Sequence, residues 1–256
     1  MIRIPSRLAA GLLAASVLLG AAPVALAGVF SVTPVRIYMA PRDRAVAVTL
    51  TNEGDSANVL QAELHTWTQD ADGTDRLTPT DDLILSPPII KLAPRARQVV
   101  RLALLRAPDP ARQLTYRLIV REVPEALEGA KGIQVPIALA LSMPVFITPP
   151  KAQRAMACSL VPATPAAGSA STAPSLPAPA PQVRCANSGN AYAQIRQIVL
   201  QRGNTALARF EGGSYVLPGA AQTLTLKAEQ AVAPGAAELS VSFDDGQNQV
   251  FSVVLP

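Results

Sequence analysis

Histidine is almost missing from this chain: His65 is the only one in 256 residues. Any Ser-His-Asp chemistry would have to pass through it. His65 sits in a strand-like run, NVLQAELHTWTQ, where a partly exposed strand position is the expected role. There is no nucleophile elbow and no H-E-x-x-H, so neither of these hydrolase signatures is present. Cysteine is limited to Cys158 and Cys185, and nothing beside them has metal-ligand spacing, so no metal and no cofactor is expected. Aromatic residues make up only 4% of the chain and the basic residues are scattered. That excludes a base-stacking platform, and with it nucleic-acid binding. Stretches with helical periodicity are nearly absent as well, while proline is frequent, with 24 residues.

The chain opens on a segment that reads as an export signal. Arg3 and Arg7 form a basic start, Leu8 to Gly20 is apolar, and Ala25-Leu26-Ala27 is an A-x-A cleavage site. The apolar stretch is too short and wrongly flanked for a membrane span, and no second long apolar run follows, so no membrane insertion is expected. Residues 1–27 are therefore assigned to a signal peptide, with cleavage near Ala27 and an extracytoplasmic destination. Removing Arg3 and Arg7 lowers the formal charge from +4 to +2, which weakens the case for a polyanionic partner. In an exported protein an even pair of cysteines reads as one disulfide, Cys158–Cys185.

What remains is a succession of strands and turns. Phe30 to Met39 reads as a first strand interrupted by Pro34, which suits an edge. Ala45–Asn52 alternates, with Val46, Val48 and Leu50 on one face, and ends in the turn residues Asn52-Glu53-Gly54-Asp55. Asn58–Thr68 is a third strand, whose Trp67 fits an immunoglobulin-like core. Asp70-Ala71-Asp72-Gly73 has the chemistry of a hairpin turn rather than of a calcium loop. Leu83–Leu85 and Ile89–Leu92 flank Ser86-Pro87-Pro88, a break able to move the chain from one sheet to another. Arg97–Leu105 and Thr115–Val123 follow. Short strands at this spacing imply an all-β chain built from β-sandwiches.

The first domain is expected over residues 28–150 and the second, smaller sandwich over 151–256. The second begins with a strand at Ala152–Leu160. It resumes at Tyr192–Gln201, Thr205–Glu211, Gln222–Lys227, Glu238–Phe243 and Gln249–Leu255. Between lies 161–182, rich in Pro, Ala, Ser and Thr, which reads as a surface loop stapled at its base by the two cysteines.

The longest patterned segment is Gly132–Pro149, GIQVPIALALSMPVFITP. Ile133, Val135, Ile137, Leu139, Leu141 and Met143 alternate with Gln134, Pro136, Ala138, Ala140, Ser142 and Pro144. The alternation runs for about twice the length of an ordinary strand. A strand this long overhangs its own sheet, and its row of large apolar side chains needs cover. For Leu141 and Met143 that cover is either the chain's own core or a partner.

Four segments together resemble the N-terminal domain of the periplasmic pilus-assembly chaperones, the PapD-like family. FSVTPVRIYM at Phe30–Met39 resembles the family's arginine-bearing first strand. SPPIIKLAPRARQVVRL at Ser86–Leu102 resembles its Pro-Pro pair, Leu-x-Pro and Val-Arg-Leu. YRLIVREVP at Tyr116–Pro124 ends in its Arg-Glu-apolar-Pro, and Val135–Pro149 resembles its last strand, which ends in proline at the domain junction. Order and spacing agree over most of residues 29–150. The resemblance implies two immunoglobulin-like β-sandwich domains in an L-shaped arrangement and a non-enzymatic role. The partners it implies are pilus subunits with an incomplete immunoglobulin fold and an outer-membrane usher.

The family binds subunits by donor-strand complementation. By alignment, Val135, Ile137 and Leu139 enter the subunit's groove, with Ile133 and Leu141 extending the row. The family also holds the subunit's terminal carboxylate with two cations, one on the first strand and one on the last. Arg36 matches the first. The second position, five residues before Pro149, is Pro144, which has neither charge nor backbone donor. Arg117 on the preceding strand is the expected substitute, with Arg121 in reserve. This departure resembles the archaic branch of the family, which serves spore-coat-U-like pili. The competing assignment is an exported pilus subunit or adhesin.

Overall fold

The computed structural model describes residues 30–124, 138–162, 180–230 and 233–255. These residues form strands and turns with no helix among them. The first ten strands are β1 (Phe30–Thr33), β2 (Ile37–Met39), β3 (Ala45–Asn52), β4 (Asn58–Gln69), β5 (Asp75–Pro79), β6 (Leu83–Ser86), β7 (Ile89–Leu92), β8 (Arg97–Leu104), β9 (Leu114–Glu122) and β10 (Ala140–Ile147). They make two facing sheets, one ordered β1-β3-β8-β6 and the other β2-β10-β9-β4-β5, with β7 also on β4.

Proline sets this topology. Phe30–Met39 is two strands rather than one. β1 runs antiparallel to β3 in the first sheet, and β2 runs parallel to β10 in the second. Pro34, without an N–H, ends the first ladder, so the chain crosses between the sheets there. Ser86-Pro87-Pro88 does the same: β6 pairs with β8 in the first sheet and β7 with β4 in the second. Alternation then fills the space between the sheets. Val48 and Leu50 from β3, Val100 and Leu102 from β8, and Leu118 and Val120 from β9 are all buried in one core. The turn at Asp70–Gly73 closes β4 onto β5, with Gly73 donating to the Asp70 carbonyl at 2.9 Å.

The second set is β11 (Met156–Leu160), β12 (Gln182–Asn187), β13 (Ala193–Arg202), β14 (Thr205–Val216), β15 (Ala221–Thr225), β16 (Lys227–Ala228), β17 (Gly235–Phe243) and β18 (Asn248–Leu255). It forms the sheets β11-β12-β15 and β16-β14-β13-β17-β18 around a separate core that includes Ile195, Ile198, Leu239 and Val241. Strand β11 starts at Met156 rather than Ala152, because the preceding residues are engaged in another task described below. Cys158 and Cys185 are cross-strand partners on β11 and β12 and form the expected disulfide. It closes a loop of 27 residues, the setting in which a crosslink restrains the unfolded chain by about 3.5 kcal/mol. The Pro/Ala-rich segment expected at 161–182 lies largely outside the described residues, and its last member, Gln182, opens β12.

Asn187-Ser188-Gly189-Asn190 fixes how the two sandwiches meet. Asn187 is buried, and its Nδ2 donates to the carbonyls of Ala191 and Val216 while its Oδ1 accepts from Ala155 and Gly189. Asn190 Nδ2 donates to Lys151 O at 3.1 Å and to Ala111 O at 2.9 Å, which ties the connecting segment and the first sandwich together. Only glycine fits at 189, since a Cβ there would lie 2.4 Å from Gln153 O. Residues 152–155 are therefore held as a strap against this turn and cannot join β11.

Trp67 corrects a sequence expectation. It is fully buried, but not in the immunoglobulin-like core. Its neighbour Thr66 pairs with Tyr116, whose ring points into that core, so Trp67 projects from the opposite face. There it meets Phe146 of β10 and Leu217 of the second sandwich in a third apolar cluster. Burying rings of this size contributes about 2–3 kcal/mol each. Gln69 locks the same contact, donating to Tyr215 O and accepting from Leu217 N, both at 2.9 Å. The site that follows is thus built between two parts whose relative placement is fixed by packing and hydrogen bonds.

Candidate functional site

One row of residues crosses the second sheet at the mouth of the cleft. Val145 on β10 is level with Ile37 on β2, which puts Pro144 level with Arg36. Pro144 is also the direct partner of Arg117 on β9, and Arg117 of His65 on β4. Arg36, Pro144, Arg117 and His65 therefore lie side by side. Arg36 and Arg117 sit two strands apart, roughly 10 Å at the backbone. Where β10 has a proline and so lacks a cation, its hydrogen-bonded neighbour carries one at the same level.

The two arginines lean toward a shared ring. The Arg36 guanidinium carbon is 5.9 Å from the centroid of Tyr215 and that of Arg117 is 5.6 Å from it. Arg117 also stacks over Trp67 at 3.7 Å, a contact that suits the flat, weakly hydrated guanidinium and holds it in place. Its nearest carboxylate, Asp75, is 3.8 Å away, beyond hydrogen-bond distance. Arg36 Nη1 donates to Asp244 Oδ2 at 2.6 Å. Asp244 also accepts from the Tyr192 hydroxyl, and Tyr192 shares a 2.6 Å hydrogen bond with Tyr38. The Trp67 indole N–H is buried without an acceptor among the described residues.

Burial shapes the electrostatics in opposite ways at the two cations. At Arg117 desolvation prevails and lowers its pKa, with Asp75 and Tyr215 pulling upward. At Arg36 desolvation also opposes the charge, but the interactions with Tyr38, Tyr215 and Asp244 outweigh it and raise the pKa. Burial likewise raises the pKa values of Tyr192 and Tyr215, so both hydroxyls stay neutral and able to donate. A guanidinium does not lose its proton in either setting. Two fixed cations on neighbouring strands can bind an anion such as a carboxylate through charge-assisted hydrogen bonds. A cavity of about 750 Å³, lined by Tyr38, Tyr192, Arg154 and the Asp244 that pairs with Arg36, opens beside this cluster.

The structure brings Arg36 and Arg117 together and leaves Arg121 out. Arg121 shares a face with Arg117 but sits four residues along β9, roughly 13 Å away. It is opposite Ala140 and ion-paired with Glu63 at 2.9 Å. Arg121 is therefore not a second cation for the cleft.

Of the apolar row, Ile133, Val135 and Ile137 lie outside the described residues. Leu139 is 40% exposed, and its carbonyl accepts from Glu122 N, extending the β9–β10 pairing one step past the strand's start. Leu141 is half-buried against the chain's own core, where Met143 is fully packed. Among the described residues of the row, Leu139 is exposed and Leu141 is not. Beyond Met143 the alternation is lost: Pro144, Val145, Phe146 and Ile147 are all buried. Both faces of β10 are covered here, one by the core and the other by the second sandwich. The unbroken apolar run Val145-Phe146-Ile147 was the available sequence signal for this contact. Tyr215 and Asp244 had no such signal.

Residues 29–153 match the model of the pili and flagellar-assembly chaperone family, PapD N-terminal domain. No curated protein sequence matches the chain. Among solved structures, the chain is similar to a complex from Acinetobacter baumannii. That complex joins the chaperone CsuC to the tip adhesion subunit CsuE of archaic chaperone-usher Csu pili. The TM-score is 0.62 at 18% identity, over 88% of this chain and 98% of that one. It is also similar to the Escherichia coli chaperone DraB, with TM-score 0.55 at 14% identity over 90% and 96% of the two chains. A third similar structure is the Salmonella enterica SafA pilin with its SafB chaperone, with TM-score 0.56 at 14% identity over 89% and 96%. At these identities the likenesses establish the shared fold, and the matched domain establishes the relationship. Residues 29–153 are thus assigned to the PapD N-terminal domain of the pili and flagellar-assembly chaperone family.

Proposed function

We propose that this protein is an exported chaperone of the chaperone-usher pathway. In this reading it captures pilus subunits by lending them a strand and hands them to an outer-membrane usher. The observation that carries the reading is the row Arg36–Pro144–Arg117 across β10, with Leu139 exposed just before the start of that strand. A subunit missing its last strand has an apolar groove and unpaired edges. Ile133, Val135, Ile137 and Leu139 supply alternate side chains to the groove, while backbone hydrogen bonds saturate the edges. The subunit's terminal carboxylate lies between Arg36 and Arg117, where charge-assisted bonds in a partly dry cleft are strong. Leu141 stays with the chaperone's own core.

Two separate cores, with β10 ending at Ile147 and β11 starting at Met156, support domains at 28–150 and 151–256. Residues 1–27 direct export and are cleaved near Ala27. The missing second cation at Pro144, with its charge moved to β9, supports placement in the archaic branch, as does the likeness to CsuC. Two complete sandwiches favour this reading over that of a pilus subunit.

Co-expression with an exported subunit encoded beside this gene tests the proposal. The expected result is a stoichiometric heterodimer in the periplasmic extract, with the subunit degraded or aggregated when the chaperone is omitted. Subunit recovery that is the same with and without this chain overturns it.

A further inference from the structure

We propose that Asp244 occupies the place of the subunit's carboxylate in the free chaperone and sets how tightly the cleft holds it. This rests on the reading of Arg36 and Arg117 as the carboxylate anchor.

Arg36 is not idle: its Nη1 donates to Asp244 Oδ2 at 2.6 Å, with the Asp244 side chain only 14% exposed. Asp244 follows β17, 208 residues away in sequence, and its backbone N–H donates to Gln194 O at 3.1 Å, which fixes the carboxylate from the second sandwich. The Tyr192 hydroxyl donates to the same Oδ2 at 3.3 Å. Among the described residues Arg117 has no carboxylate within hydrogen-bond distance: its ion-pair partner Asp75 stands at 3.8 Å in a half-exposed position. Of the two cations, Arg36 alone is paired with a tightly held carboxylate, and that carboxylate has the same acceptor atoms as a chain terminus.

A terminal carboxylate entering beside Tyr215 meets Arg117 only loosely paired with Asp75 and Arg36 tightly engaged. To be held by both, it exchanges with Asp244 at Arg36, leaving Asp244 with the Tyr192 hydroxyl. Capture is therefore weaker than two open arginines would allow, by the strength of the bond exchanged. The exchange also removes an ion pair between the two sandwiches, so occupancy of the cleft and the contact between the sandwiches are linked.

The test titrates the signal-free chain with N-acetyl-glycylglycine, which has a free carboxylate, and with its C-terminal amide. The readout is the arginine Nε–H resonances. Asp244→Asn keeps the shape and removes the charge. It is expected to bind the carboxylate about tenfold more tightly than the unaltered protein, ~1.4 kcal/mol, while the amide binds neither. Arg36→Ala in the Asp244→Asn background is expected to abolish the gain. Tyr192→Phe loosens Asp244 without removing it and is expected to give about a twofold gain, which keeps the test available if Asp244→Asn does not fold. Arg36-dependent binding by the unaltered protein, with equal or weaker binding by both variants, overturns the competition and leaves the anchor standing. Absence of Arg36-dependent carboxylate binding in all these proteins removes the anchor itself.

Discussion

Replacing Ile137 and Leu139 together by glutamate is expected to leave the chaperone folded and to remove subunit recovery from the periplasm. Leu139 is 40% exposed and outside the core cluster, so the charge at 139 enters no packed interior. Ile137 lies outside the described residues and its role rests on the alternation of the sequence. If both side chains fill groove pockets, losing them forfeits about 1.5–3 kcal/mol each before any cost of burying carboxylates. The sum corresponds to a loss of affinity on the order of a thousandfold. Circular dichroism and a thermal melt check the fold, and quantitation of subunit in the periplasmic extract reads the function. Normal recovery with a folded variant would sink the donor-strand assignment.

The second large effect is expected at the cleft. Arg36→Ala and Arg117→Ala each remove one charge-assisted contact to the subunit's terminus. Each loss is worth about 1.5–3 kcal/mol, or on the order of ten- to a hundredfold in affinity. The two losses are not expected to add, because both guanidinia address one carboxylate. Arg117→Ala also strips the stack from Trp67, 3.7 Å away, so its stability has to be measured beside its affinity. Arg117→Lys separates the roles: it keeps the charge but not the flat face that packs on the indole. Arg121→Ala is the internal control. Its partner is Glu63, and affinity is expected to change less than twofold. An equal loss from Arg121→Ala, or none from Arg36→Ala, contradicts the anchor.

Much of this was legible in the sequence, for reasons that can be named. Strand placement followed from period-two alternation, as in β3, and from turn residues such as Asp70–Gly73. The sheet switch at Pro87-Pro88 followed from the missing N–H. Arg117 could be assigned to the outer face of β9 because Tyr116, Leu118 and Val120 alternate with it. What failed were relations between distant segments. In Phe30–Met39 the alternation continues through Pro34, so the sequence suggests one strand, and only pairing with two different sheets separates it. A buried tryptophan on a central strand suits either face, so sequence alone does not separate the core side of Trp67 from the other. Its true cover, Leu217, arrives 150 residues later in the chain. Asp244 reaches Arg36 across 208 residues, and nothing local in SFDDGQ marks it as a cleft residue. Leu141 shows the limit of periodicity. Side chains of one alternating row share a face, but the point where that face leaves its own sheet for a partner depends on where the neighbouring strands end.

The central claim is that the residues leading into β10 form a strand with the subunit. Hydrogen–deuterium exchange of the backbone amides, compared in the free chaperone and in its subunit complex, tests it most directly. The account predicts that complex formation slows exchange across residues 133–139, apart from Pro136, which has no amide, with no comparable slowing along β18. Unchanged exchange over 133–139, with protection appearing on another face of the molecule, would contradict it.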